Sequence, residues 1–168
     1  GEQVNYEVVS ASTQEIDENQ YTSSYEIFVP IDDPSIIKPF SSLEQNKNDN
    51  GIIATLKITY FLRNNGQEIK LTNISGSWKS SSTSISIETK DREVAITDGS
   101  GVGGVGSKTL RWYPSSNTFS YNTGWDYVAY MPHIIEAMTG PRGFSEIYYR
   151  ITGMGSTWQH LYFQLEVK

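Results

Sequence analysis

Two histidines and one nearby carboxylate are the residues of this chain that could bind a metal or move protons. His133 and Glu136 are three residues apart, which places them on one face if the segment is helical, and His160 is the other imidazole. A zinc site needs three or four ligands that converge in space. We therefore interpret His133 and Glu136 as a pair on a helix surface, and we expect neither a metal nor a cofactor.

Residues 101–106, Gly-Val-Gly-Gly-Val-Gly, match the glycine pattern of a dinucleotide-binding loop letter by letter. That motif requires a following helix, because amides at the helix N-terminus hold the pyrophosphate. Residues 107–113 are typical of a strand instead. The pattern therefore predicts a flexible hairpin loop rather than a nucleotide site.

Residues 46–51, Asn-Lys-Asn-Asp-Asn-Gly, place oxygen-bearing side chains at alternate positions before a glycine, as calcium loops do. The position at which an EF-hand carries a bidentate Glu is occupied by Lys57, and a bound cation would meet its positive charge. We interpret this segment as a solvated loop.

Enzymatic motifs give no positive signal. The chain has 19 acidic residues, and nothing in their spacing selects a catalytic pair. No Gly-x-Ser-x-Gly elbow or Ser-x-x-Lys motif accompanies the histidines in a recognisable setting. The sequence therefore offers no catalytic residue and favours a protein that is not an enzyme.

Trp158, His160 and Tyr162 are the residues that we expect to bind a ligand. Residues 158–167 alternate between an apolar set and a polar or aromatic set, so a strand would turn the apolar set toward the core and this row outward. Side chains in the row would lie about 6.5–7 Å apart. Flat rings at that spacing could stack on sugars or anchor a protein partner. The competing interpretation is that a second layer, such as residues 1–43, covers the row.

The elements that position these residues are strands. Residues 52–62 alternate clearly, and Asn64, Asn65 and Gly66 supply a turn before residues 67–71 return, which predicts a hairpin. Further strands are predicted at residues 25–29, 84–89, 93–97, 109–113, 118–122, 147–152 and 158–167. We expect an all-β fold, an antiparallel β-sandwich or barrel-like structure of roughly seven to ten strands. One short helix is predicted at residues 132–138, between Pro132 and Gly140.

The chain is expected to form a single domain. Residues 1–50 are interpreted as an N-terminal arm or first strands joined to the sheet, and residues 51–168 as the sandwich core. A net charge of −6 argues against nucleic-acid binding, and the apolar runs are too short to span a membrane as a helix. The chain has no cysteine and begins at Gly1, which fits an exported protein whose signal peptide has been removed; the alternative is an internal fragment of a larger protein.

Two stretches have the character of sequence motifs: residues 73–78 (Asn-Ile-Ser-Gly-Ser-Trp) and residues 119–125 (Phe-Ser-Tyr-Asn-Thr-Gly-Trp), which we call the signature stretches. Together with Arg92-Glu93-Val94 and the closing strand that opens on Trp158, they resemble a group of small exported β-sheet proteins of Gram-positive bacteria. The resemblance covers about residues 52–168 and implies export and a β fold, but no assigned function. The structural interpretation is that Gly lets the chain turn tightly while Trp78 and Trp125 fill the core.

Three classes of function stay open. The first is an extracellular or cell-surface binding module whose partner is a glycan or a surface protein. The second is a secreted hydrolase of polysaccharide or cell wall, which would need two carboxylates about 5–9.5 Å apart in a cleft. The third is a membrane-acting β-toxin, because the uncharged residues 80–87 and the glycine-rich loop could form an amphipathic hairpin.

Overall fold

The computed structural model describes residues 4–31, 51–99, 108–130, 140–153 and 155–167, and no helix occurs among them. The described residues form ten strands, which confirms the prediction of an all-β protein. The strands are β1 (Glu7–Asp17), β2 (Gln20–Pro30), β3 (Gly51–Arg63), β4 (Glu68–Ser80), β5 (Ile87–Thr97), β6 (Thr109–Trp112), β7 (Thr118–Asn122), β8 (Val128–Ala129), β9 (Arg142–Ile151) and β10 (Gln159–Glu166).

The strands are arranged in two antiparallel sheets. The six-stranded sheet has the order β1-β2-β3-β4-β7, and β8 pairs with another part of β4. The four-stranded sheet has the order β10-β9-β5-β6. Strands β2 and β3 contact β10, and β4 contacts β5, so the buried faces of the two sheets pack against each other.

The hairpin between β3 and β4 has the turn that the sequence predicts. Asn64, Asn65 and Gly66 all have positive φ, at 54°, 56° and 80°. Asn and Gly are the residues that adopt this left-handed conformation at least cost. The predicted hairpin is therefore confirmed.

The strands predicted at residues 84–89 and 93–97 are wrong as separate elements, because residues 87–89 and 93–97 belong to the single strand β5, and residues 84–86 precede it. A bulge breaks the pairing of β5 with β9 between Lys90 and Glu93, and Asp91 within it has a φ of 52°. An extra residue shifts the inward and outward alternation, which divides one strand into two apparent ones. Since Lys90 pairs with Tyr148 and Glu93 with Glu146, the bulge leaves Lys90 and Glu93 on the same face of the sheet.

The core between the sheets is centred on Trp78, whose side chain is 1% exposed. Its indole Nε1 donates a hydrogen bond of 2.9 Å to the hydroxyl of Ser145 on β9, so one bond joins the two sheets inside the core. The ring of Phe119 packs on Trp78 with 5.0 Å between centroids. Burying a Trp with its N–H satisfied combines large apolar burial with no unpaired polar group.

Residues of the two signature stretches contribute to the core and to a turn, but Gly76 has a different role from the one that the sequence analysis gave it. Trp78 is buried and Trp125 is half-buried against the core, while Gly124 has a φ of 71° beyond the end of β7. The interpretation of a tight turn is wrong for Gly76, which lies inside β4. A Cβ at Gly76 would stand 2.8 Å from Cζ of Phe119, so the glycine makes room for that ring.

The residues that precede β1 lie along β10, at the edge of the four-stranded sheet. The amide of Val4 donates a hydrogen bond of 2.8 Å to the carbonyl of His160 on β10. The ring of Tyr6 then meets Phe163 edge-on, with 6.2 Å between centroids. This short segment covers part of the β10 edge before the chain crosses to the six-stranded sheet.

Several sequence predictions fall outside the described residues: the helix at 132–138 with His133 and Glu136, the glycine-rich residues 101–106, and all of the candidate calcium loop 46–51 except Gly51. Within the described part of the chain, no helix is long and apolar enough to cross a membrane.

Alkaline pH is expected to destabilise the fold through Tyr149. Burial raises the pKa of the Tyr149 phenol from 10.0 to about 12, so the folded state holds this proton more tightly than the unfolded state. The resulting stability is fully present below pH 10 and is lost as the pH rises toward 12. This difference in pKa between the folded and unfolded states corresponds to about 3 kcal/mol. Urea unfolding followed by circular dichroism across this range should show the loss.

The matched control is Tyr149→Phe, which cannot ionise. Its free energy of unfolding should fall less than that of the wild type over the same pH range. If both proteins lose the same stability, Tyr149 is not the group responsible.

Candidate functional site

The row Trp158, His160 and Tyr162 lies on the outer face of the four-stranded sheet. His160 and Tyr162 belong to β10, and Trp158 immediately precedes it. The alternate residues Leu161 and Phe163 are 0% and 1% exposed and point into the core. All three members of the row are half-buried.

Strand β9 extends this face with a second row. In the pairing of β9 with β10, Tyr148 is opposite His160, and Glu146 is opposite Tyr162. Directly opposed residues of antiparallel strands have their side chains on the same side of the sheet. We call the outer side of β5, β6, β9 and β10 the aromatic face, which carries these residues with Phe144, Arg150, Glu88, Lys90, Glu93, Arg111 and Trp158.

The rings of the aromatic face stack on one another across the strands. Tyr148 and His160 are nearly parallel, with 4.5 Å between centroids and 14° between planes. Phe144 and Tyr162 stack more loosely, at 6.1 Å and 27°. Each stacked pair uses one side of each ring, so a ligand would meet the edges and the remaining sides of the rings.

Two cations lie over Trp158. The Nζ of Lys90 and the Cζ of Arg150 are each 4.4 Å from the centroid of its ring. Arg150 also pairs with Glu88, its direct neighbour on β5, through a contact of 2.5 Å. The Trp158 end of the row therefore combines an indole with two basic groups and one carboxylate.

The centre of the face holds two carboxylates on opposed positions. Glu93 of β5 is directly opposite Glu146 of β9, an arrangement of like charges that costs stability unless it is compensated. Arg111 forms an ion pair with Glu93, and the Nε2 of His160 lies 3.1 Å from an Oε2 oxygen of Glu146. Each carboxylate thus has its own basic neighbour.

His160 Nε2 is buried yet makes no hydrogen bond of good geometry. The contact with Glu146 is within ion-pair distance, and it becomes a charge pair only when the imidazole is protonated. The imidazole is further fixed by stacking on Tyr148. Among the buried side-chain nitrogen and oxygen atoms of the described residues, this is the one that lacks a hydrogen bond.

Tyr162 borders a shallow depression of about 140 Å³ lined by Glu93, Ala95, Arg111, Phe144, Glu146 and Tyr162. Burial and then the negative charge of Glu146 raise the pKa of the Tyr162 phenol, so the hydroxyl stays a neutral donor at physiological pH. The depression is smaller than the roughly 300–1,000 Å³ of a typical small-molecule pocket. A ligand would lie along the face rather than inside a cleft.

Comparison with models of protein families, with curated proteins and with solved structures finds no match. The function must therefore be inferred from the geometry of the aromatic face.

The structure brings the three predicted residues to one face and adds neighbours that the sequence analysis missed. Phe144, Glu146 and Tyr148 occupy alternate positions of β9, whose other side is buried. That alternation indicates the outward residues of the strand, but the strand was predicted at residues 147–152, a range that includes Tyr148 and leaves out Phe144 and Glu146. Among the described residues, no group of three His, Cys, Asp or Glu side chains is placed to hold a metal ion.

Proposed function

We propose that the protein is an extracellular β-sandwich module that binds a glycan on the aromatic face. The observation that carries the proposal is the row Trp158, His160 and Tyr162, which lies half-buried on the outside of a sheet instead of in the core. Singly exposed apolar residues are normal, but a contiguous set of rings on one face is typical of a binding surface.

The mixture of groups on the face suits a sugar. Sugar rings have apolar faces that pack on aromatic side chains and hydroxyls that need both donors and acceptors. The phenol of Tyr162 is a neutral donor, Glu146 is an acceptor, and Lys90 and Arg150 are donors beside Trp158. The shallow relief favours an extended chain lying across the strands over a small molecule in a pocket.

The experiment is a binding assay with the double variant Trp158→Ala and Tyr162→Ala. The wild type is screened against neutral and anionic polysaccharides and peptidoglycan fragments by affinity electrophoresis, and the affinity for the best binder is measured by calorimetry. Losing two ring contacts is expected to weaken binding by at least about tenfold. The double variant should remain folded.

Tyr113→Ala is the matched control. Tyr113 is 72% exposed and follows β6 away from the row, so its removal should leave binding unchanged. The proposal is contradicted if no polysaccharide binds, or if the double variant binds as well as the wild type. A loss of roughly 3–5 kcal/mol in the stability of the double variant would identify the row as core.

A hydrolase of the same polymers is the second candidate, favoured by the opposed carboxylates Glu93 and Glu146. Opposed side chains of this kind have Cβ atoms about 4.5–5.5 Å apart, from which two Glu side chains can bring their carboxyl groups to the roughly 5–5.5 Å separation of retaining glycosidases. The pairing of Glu93 with Arg111 weighs against it, because a nucleophile or acid must be free to act on the sugar. Release of reducing ends from the bound polysaccharide, abolished by Glu146→Gln, would establish the hydrolase.

A further inference from the structure

Strand β1 is the most exposed element of the described protein. It forms one edge of the six-stranded sheet and pairs with β2. All of its residues are exposed, including those on the side that faces the core in other strands. Strand β10 lies over β2 and β3, so β1 extends past the second sheet with both faces exposed, and none of the described strands pairs with its outer edge.

Apolar side chains are concentrated on this strand. Val8, Val9 and Ile16 are 53%, 58% and 54% exposed, and in the described part of the chain the other large apolar side chain of comparable exposure is Tyr113. Exposed apolar groups that cluster on one element mark an interaction surface more often than scattered ones do.

The backbone of β1 offers a template for another strand. An edge strand presents a row of N–H and C=O groups that have no partner within the sheet. The register with β2 is regular across residues 10–15 and is broken only near the ends, between Val8 and Ser10 and between Glu15 and Asp17. The bulges hinder the pairing of another strand with the two ends of β1. The middle of β1 carries neither the Lys nor the Pro that commonly prevents such pairing at an edge.

The charges of β1 indicate what would occupy the edge. Glu7, Glu15 and Asp17 are acidic, and the strand has no basic residue. Two copies related by a two-fold axis would place Glu7 opposite Asp17 or Glu15 in the registers that pair most of the strand. Such like-charge pairs are destabilising, and the net charge of −6 adds repulsion between copies.

We propose that the β1 edge binds an extended segment of a partner protein that carries Lys or Arg side chains and pairs with β1 as an added strand. Backbone hydrogen bonds along residues 10–15 would supply the affinity, while Glu7, Glu15 and Asp17 would select basic side chains. This surface is on the opposite sheet from the aromatic face and does not depend on it.

The test uses two synthetic peptides in which Val and Thr alternate with either Lys or Glu. Fluorescence anisotropy of the labelled peptides measures affinity, and hydrogen exchange locates the contact. The Lys peptide is expected to bind at least about tenfold tighter than the Glu peptide at low salt, with the difference shrinking as salt is added. Binding should protect amides of residues 10–15 from exchange.

Two proline variants separate edge pairing from unfolding. Amides of successive residues point alternately toward β2 and away from it, so Ala11→Pro and Ser12→Pro remove one outward and one inward N–H. The variant that keeps wild-type stability should bind the Lys peptide about tenfold more weakly, through the lost hydrogen bond and the proline ring on the edge. Glu15→Lys should reduce the preference for the Lys peptide.

Three results would overturn the proposal. Equal affinity for the two peptides would remove the role of charge. Full binding by both proline variants, or protection elsewhere than in β1, would show that the edge is not the site. Dimerisation of the protein that both proline variants abolish would make a second copy the occupant.

Discussion

Replacing Trp78 with alanine is expected to lower the free energy of unfolding by about 3–5 kcal/mol, the cost typical of removing a large buried ring. Trp78 is 1% exposed and lies between the two sheets, in contact with Phe119 and bonded to Ser145. Its loss leaves a cavity and an unpaired buried hydroxyl together. Equilibrium unfolding in urea followed by far-ultraviolet circular dichroism measures the loss.

Variants of Trp78 and Ser145 separate the cost of the cavity from the cost of the lost hydrogen bond. Trp78→Phe keeps much of the ring but removes the indole donor, and should cost roughly 1–3 kcal/mol. Adding Ser145→Ala removes the orphaned hydroxyl, so the double variant should be more stable than the sum of the two single losses predicts. Simple additivity would mean that the bond between the sheets contributes nothing of its own. A loss of less than about 1 kcal/mol in Trp78→Ala would mean that the ring is not packed in the core.

The closing strand could be predicted from the sequence because its alternation is local. In β10 the buried residues Leu161, Phe163 and Leu165 alternate with the outward row, and no residue interrupts the period of two. The hairpin at Asn64 could be predicted for a similar reason, since the conformation of its turn depends on the adjacent residues Asn64, Asn65 and Gly66. Signals of this kind need no knowledge of distant parts of the chain.

Strands β1 and β5 show why other elements were missed or misread. Strand β1 buries neither face, so its side chains carry no inward and outward pattern by which a strand could be recognised. The bulge at Asp91 shifts the pattern of β5 halfway along. In both cases the conformation is set by pairing with a partner strand, a tertiary effect that local periodicity does not contain.

The candidate site was predictable only in part for the same reason. Trp158, His160 and Tyr162 were found because they occupy alternate positions of one continuous segment, the end of the loop before β10 and β10 itself. Glu93 and Glu146 come together through the pairing of β5 with β9, and Arg111 joins them from β6. Which residues oppose each other depends on register, and a shift by one residue would turn a whole strand's side chains to the other face.

Gly76→Ala is expected to lower the free energy of unfolding by about 3 kcal/mol, at the upper end of the usual cost of overpacking. Gly76 lies within β4, between Leu56 of β3 and Phe119 of β7. An added Cβ would overlap the backbone carbonyl of Thr55 and stand 2.8 Å from Cζ of Phe119. A carbonyl held in the sheet cannot rotate away as a flexible side chain could, so β3 and β4 would have to separate locally.

Gly140→Ala is the matched control, because a Cβ there meets nothing within 4 Å and no positive φ is required. Its effect should be within about 0.5 kcal/mol. A double variant, Gly76→Ala with Phe119→Leu, then identifies the limiting contact. If the clash with the Thr55 carbonyl accounts for most of the destabilisation, replacing Phe119 with Leu recovers little of the lost stability. The cost of removing the Phe119 ring then adds to the cost of Gly76→Ala. Full recovery would place the constraint in the ring alone, and a Gly76→Ala protein as stable as Gly140→Ala would contradict the close approach of β3 and β4 altogether.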